Sequence, residues 1–365
     1  MLRLAMTGVA MVLLSGLASA QPADPVPIRL IEQDSGVDVR LRGLSAVDAQ
    51  VAWASGGGGT VLRTVDGGEH WQRIPVPGAA GLDFRDIEAF DAEHAVLLSI
   101  GPGEASRVYS TANGGQDWAL VLQNRDPAAF LDCLAFDGAH GVILGDPVAG
   151  RFQIYETQNR GGSWTLREDG PAAAAGEAAF AASGTCIALK GDQLVIVTGG
   201  AQARAHLLSD GADGSDRVGW LATDPADQLA SASTGYFSVA ATPRGFIAVG
   251  GDYERPSTPG MLATLMPAPV AGSGSPSLEA RAAPPGYRSG IACPTATEGC
   301  LATGPSGTDW WDGTRWTPVS PLGFDAVDVV GSSGWASGEN GRIARIEILP
   351  AVGTSVPAPG TDLTD

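Results

Sequence analysis

The chain has 365 residues, with 22 Lys and Arg against 40 Asp and Glu and a formal charge of −18. A surface this acidic repels phosphate backbones and anionic head groups over long range, which sets nucleic acid aside as a partner. Gly (51) and Pro (25) are abundant and apolar runs are short, so helical architectures give way to many strands joined by turns.

Residues 1–20 read as a secretory leader. Arg3 is followed by the apolar run from Leu4 to Leu17 and the small residues Ala18-Ser19-Ala20. That run is too short to span a bilayer comfortably, and no later segment resembles a span. The mature form is therefore expected in the periplasm or outside the cell, without an integral membrane segment, and as a monomer. Next comes Ile28-Arg29-Leu30-Ile31, a strand-like run with no place in the repeats that follow.

Three segments superimpose from there. They begin at Leu41, Phe84 and Phe130, and their closing tryptophans, Trp71, Trp118 and Trp164, lie 47 and 46 residues apart. A unit of that length holding four short strands is the expected blade of a β-propeller. Each closes on one turn pattern: Thr64, Asp66, Gly68 and Trp71; Thr111, Asn113, Gly115 and Trp118; Thr157, Asn159, Gly161 and Trp164. Short polar side chains can bond to turn amides, Gly accepts a positive φ, and Trp covers the apolar layer. These positions are expected to be structural.

Four weaker units follow. The fourth runs from about Phe180 to Trp220, with a decayed closing turn at Asp210–Ser215, and the fifth starts at Tyr236 and carries a Gly/Ser/Pro-rich loop at Ala271–Ser277. The sixth runs from Tyr287 to Val319. The seventh starts at Phe324, repeats the Trp-Ala-Ser-Gly of residues 53–56 at Trp335–Gly338, and lacks a fourth strand after Ile348. Using residues 28–31 as that strand closes the ring. The expectation is an all-β, seven-bladed propeller over residues 21–350, with a disordered tail at 351–365.

The cysteines divide into two pairs. Cys293 and Cys300 flank a turn between the first two strands of the sixth unit, so they are expected to form a disulfide. Cys133 and Cys186 sit near the first strands of consecutive units and are expected to be buried thiols.

The residues 84–91 (FRDIEAFD), 145–148 (GDPV), 176–185 (GEAAFAASGT) and 335–342 (WASGENGR) resemble the photosystem II stability/assembly factor-like propellers, within the wider Asp-box class. The resemblance covers nearly the whole mature chain. It implies a non-catalytic, assembly-factor-like protein that holds a protein or peptide partner. It lies nearest a non-photosynthetic bacterial branch often labelled oxidoreductase or glycosyl hydrolase.

The catalytic labels can be tested on residues. Gly56–Gly59 precedes a strand, so it reads as a hairpin turn and not as a dinucleotide loop. The four histidines, His70, His94, His140 and His206, are scattered and read as surface residues. No cofactor and no metal is expected. A sialidase-like hydrolase, the alternative within the Asp-box class, would need a carboxylate-clamping Arg trio, a Tyr nucleophile with a Glu partner, and an acidic donor. Tyr109 and Tyr155 hold equivalent repeat positions that packing explains.

A ligand would bind at the channel mouth, where the first strand of each blade begins. Aligning the units puts Arg42, Arg85 and Arg288 in one column and Asp86 and Asp132 in the next. Loops on that face add Asp146, Arg204, Asp252, Arg255, Glu339 and Arg342. Such arginines could clamp a carboxylate-bearing peptide, or pair with Asp86, Asp132 and Asp325 to tie blades together.

Overall fold

The computed structural model describes residues 28–210, 216–222, 231–266, 277–294 and 299–349. The expected leader and the expected tail, residues 211–215 of the fourth closing turn and residues 271–276 of the long loop lie outside the described residues. No helix among the described residues is long and apolar enough to cross a membrane.

Seven antiparallel sheets form the ring, one per blade. Blade 1 runs Leu41–Ala46, Ala52–Gly56, Thr60–Thr64 and Gln72–Arg73 from channel to rim. Blades 2 and 3 open with Asp83–Ala89 and Leu131–Asp137, and blades 4 and 5 with Ile187–Lys190 and Thr234–Thr242. Blades 6 and 7 open with Gly290–Ala292 and Ala326–Val330. Residues 56–59 make a hairpin turn between the second and third strands of blade 1, as expected.

Ile28–Gln33 is the outer strand of blade 7, in register with Ile343–Ile348 from Ile28↔Ile348 to Gln33↔Ile343. Gln33 fastens this seam. Its Oε1 accepts from Trp71 Nε1 (3.2 Å) and Trp335 Nε1 (3.1 Å), and its Nε2 donates to the Gly67 carbonyl (2.9 Å).

The core lies between blades. Trp53, Val61 and Ile74 of blade 1 pack on Phe84, Ile87 and Leu97 of blade 2, all of them buried. Each such side chain stabilises the fold by roughly 1.5–3 kcal/mol. The closing tryptophans reach backwards: Trp118 meets Trp53 edge to face at 6.4 Å, and Trp71 meets Trp335 likewise.

The three closing turns use the same bonds. The hydroxyls of Thr64, Thr111 and Thr157 accept from the amides of Gly68, Gly115 and Gly161 at 2.9, 2.9 and 3.1 Å. Asp66, Asn113 and Asn159 each accept from the amide four residues on, at 3.0 Å. Gly115 has φ +79°, and a Cβ there would lie 2.3 Å from Ile74 Cγ2 of the preceding blade. Both the turn and its seat on the neighbour therefore require glycine.

Both cysteine pairs are disulfides. Cys293 and Cys300 are joined across the hairpin with Cα atoms 4.2 Å apart, one step beyond the Ala292↔Leu301 pair. Cys133 and Cys186 are joined as well, with Cα atoms 5.8 Å apart, which corrects the expectation of buried thiols. Inner strands of consecutive blades converge at the channel, and the two side chains meet across that gap. One histidine also departs from expectation. His206 is fully buried, with Nε2 2.9 Å from Glu177 Oε1.

Candidate functional site

The inner strands of four blades begin with a β-bulge. In the pairing of first and second strands the register skips Arg42 in blade 1, Arg85 in blade 2, Asp132 in blade 3 and Phe237 in blade 5. A bulge leaves one residue unopposed and re-aims its side chain, and here all four line the channel mouth. Ser289 and Asp325 take the matching places in blades 6 and 7. Each precedes a residue, Gly290 or Ala326, that pairs with its second strand as Gly43 does in blade 1.

The mouth is a cavity of about 440 Å³ lined by residues of six blades and by residues 179–182, which lead into blade 4, with none of the closing-turn residues among them. Arg40, Arg42 and Arg85 form its basic side, and Phe180, Phe237, Tyr253 and Tyr287 its aromatic side, next to Asp132 and Asp146.

The three guanidinium groups differ in how they are held. Arg40 is clamped to Asp325 through two bonds of 2.7 and 2.6 Å and reaches Glu339 at 3.3 Å. Arg85 donates to Asp83 (2.9 Å) and to the Ala181 carbonyl. Arg42 has no hydrogen-bond or ion-pair partner among the described residues, and its Nε is buried. Burial, reinforced by the charges of Arg85 and Arg40, pulls its pKa down to about 10. Three crowded cations with one unanswered guanidinium call for an anion.

Of the eleven residues expected at this face, Arg42, Arg85, Asp132 and Asp146 line the mouth. The rest are held elsewhere. Arg288 sits one position before the mouth residue Ser289, is nearly fully buried, and donates to Asp309 (2.8 Å) and Ser306 (3.0 Å) inside blade 6. Arg204 joins His206 and Thr198 around Glu177. Burial opposes ionisation of that carboxylate, but the bonds from His206, Arg204 and Thr198 outweigh it and hold its pKa near 2. Asp252 and Arg255 pair with each other at 2.6 Å, Arg342 donates to the Gly323 carbonyl (2.8 Å), and Glu339 touches the site only through Arg40.

Asp86 lies below the mouth and belongs to the scaffold. Its Oδ2 accepts from the Leu134 amide of the next blade at 2.6 Å. Asp328 does the same for Ala46 (2.7 Å), Ser45 for Ala89 (3.0 Å) and Ser238 for Ile291 (3.0 Å). The expected grouping of Asp86 with Asp132 is thus corrected: Leu131, not Phe130, is the equivalent of Phe84, which moves Asp132 into the column of Arg42 and Arg85. The alternative pairing of arginines with Asp86, Asp132 and Asp325 holds for Asp325 alone, and its partner is Arg40. The sequence reading missed Arg40 and the aromatic wall. The alternation of Arg40 with Arg42 at the head of a strand was the available signal for Arg40.

No protein-family model and no curated protein matches the sequence. Solved structures do. The structure titled YCF48 bound to D1 peptide is 15% identical and superposes with a TM-score of 0.59, over 91% of this chain and 99% of that one. YCF48 from Cyanidioschyzon merolae is also 15% identical, with a TM-score of 0.61 over 88% and 98%. The Niastella koreensis GH74 enzyme is 12% identical, with a TM-score of 0.56, and the match spans 86% of this chain but about half (53%) of that enzyme. The assembly-factor-like resemblance read from the sequence therefore meets a likeness of fold over almost the full length of both YCF48 structures. By architecture the chain is a seven-bladed propeller with Asp-box-type closing turns, similar in fold to the two YCF48 structures.

Proposed function

We propose that this protein is an exported, non-catalytic scaffold that holds a carboxylate-bearing peptide or protein segment at the channel mouth. One observation carries the reading: Arg42 has no partner among the described residues, its Nε is buried, and Arg40 and Arg85 flank it. An unpaired buried charge is costly, and a carboxylate offers the planar, bidentate answer. The full-length likeness to a propeller solved with a bound peptide agrees with it. The leader-like residues 1–20 and the two disulfides support export.

The hydrolase alternative finds less support. No Glu lines the mouth among the described residues, and burial pushes the Tyr287 phenol above its ordinary range, the wrong direction for a nucleophile. The test is crosslinking and pull-down from the native compartment with wild type and Arg42→Ala. Capture of a partner segment that depends on Arg42 and is displaced by free carboxylates is the expected result. Turnover of a glycoside that disappears with Asp132→Asn or Asp146→Asn would overturn the reading.

A further inference from the structure

Resting on that reading, we infer that the mouth carries a second subsite, for a primary ammonium, so that its ligand is amphoteric with the two charges set several bonds apart. The residues are Asp132 and the aromatic wall of the same cavity. Asp132 is 2% exposed and lines the mouth, and its Oδ2 is buried without a hydrogen-bond partner. Its neighbour Asp146 is already engaged, with Oδ1 accepting from the Ala179 amide at 3.0 Å.

The wall is built around Phe237. Phe180 stacks on it at 4.2 Å, Tyr287 meets it edge-on at 4.8 Å, and Tyr253 stands edge-on to both Phe180 (6.2 Å) and Phe237 (6.1 Å). An unpartnered carboxyl oxygen and a set of aromatic rings lining one cavity are the chemistry that holds an organic cation. A single open oxygen suits the point donor of an ammonium; a guanidinium fork asks for two. Burial and the proximity of Asp146 keep the Asp132 carboxyl well above its ordinary range.

The separation of charges follows from the order of blades. The unpartnered guanidinium stands on blade 1 and the open carboxyl on blade 3. Between them stands Arg85 of blade 2, whose bonds go to Asp83 and the Ala181 carbonyl. A ligand whose ammonium adjoins its carboxylate would lay that ammonium against Arg85. A lysine-type amine reaches past it.

Calorimetric titration of the purified mature protein tests this with four small probes: caproate, hexylammonium, ε-aminocaproate and its isomer norleucine. The expected order is ε-aminocaproate tighter than caproate by roughly fivefold or more, about one added charge-assisted bond, with norleucine no tighter than caproate. In Asp132→Asn the ratio of ε-aminocaproate to caproate affinity falls to about one. Equal affinity of ε-aminocaproate and caproate, or an advantage that survives Asp132→Asn, overturns the ammonium subsite and leaves the carboxylate reading standing. Norleucine matching ε-aminocaproate overturns the separation. Binding of hexylammonium without caproate overturns the carboxylate reading instead, and no binding of any probe overturns both. The wild-type comparison decides the matter even where the variant fails to fold.

Discussion

On the closing-turn face, three blades carry Thr at the same position and direct its hydroxyl to the same amide. On the mouth face, the matching positions of six blades hold Arg42, Arg85, Asp132, Phe237, Ser289 and Asp325, four residue types where repetition would give one. The turn face satisfies its Thr hydroxyls and its Asp or Asn oxygens within each turn, and the polar atoms it leaves unpartnered are the indole Nε1 groups of Trp118 and Trp164. The mouth keeps a donor on Arg42 and an acceptor on Asp132 open. In a repeat protein, sameness marks what every blade must do for itself, and departure from sameness marks what the ring does together.

That contrast can be broken in order of effect. The largest loss of stability is expected from the covalent ties of the scaffold. The Cys133–Cys186 bond closes a sequence separation of 53 residues and the Cys293–Cys300 bond one of 7. Chain-entropy arguments give about 4 kcal/mol for the first and about 2 for the second. Denaturant unfolding of the two double Ser variants should show that order, and the reverse order would locate the stabilisation in native packing. Next, Gly115→Ala should cost on the order of 2 kcal/mol through backbone strain and its clash with Ile74. Carboxylate binding at the mouth should be unchanged, and a loss of binding there would join two faces that the structure separates.

The channel below the mouth gives a smaller, pH-dependent effect. Burial lifts Asp86, Glu88 and Asp328 above the usual carboxyl range, and Asp328 adds to the lift on Glu88, which reaches about 8. Groups whose folded pKa is raised hold protons that the unfolded chain releases. Their contribution to stability is therefore full below about pH 4.5 and is lost as pH rises towards 8. Glu88 is only half-buried, so its share is on the order of 2 kcal/mol after screening by channel water. Glu88→Gln should flatten that slope; an unchanged slope would assign it to Asp86 and Asp328. The smallest effect has the opposite sign. Arg42→Ala should leave stability unchanged or raise it by about 1 kcal/mol, because it removes a desolvated, unanswered charge. Marked destabilisation would mean that Arg42 is structural after all.

Much of the scaffold was legible because its causes are local. Thr, Asp or Asn, Gly and Trp at fixed spacing specify a turn within eight residues, and a missing outer strand in blade 7 points to a spare one near the other end of the chain. The hairpin disulfide follows from a short loop. The mouth was legible only in part. Whether a strand opens with Phe130 or Leu131 shifts the column by one residue, and periodicity alone does not reveal a bulge. Contacts such as Cys133 with Cys186, or Glu177 with His206, depend on where the ring brings separate strands. No spacing rule encodes them.

The seam has a consequence for the order of assembly. Residues 28–33 leave the biosynthetic machinery first among the described strands, yet their hydrogen-bonding partners are residues 343–348. Gln33 cannot bring Trp71 and Trp335 together until nearly every blade has been made. The early strand must therefore remain unpaired, with its alternating apolar side chains exposed, through most of synthesis. Contacts this distant in sequence are reached slowly by a searching chain. Circularisation thus cannot precede the synthesis of residues 343–348, and the mouth, which draws residues from Arg40 to Asp325, is complete only when the ring is.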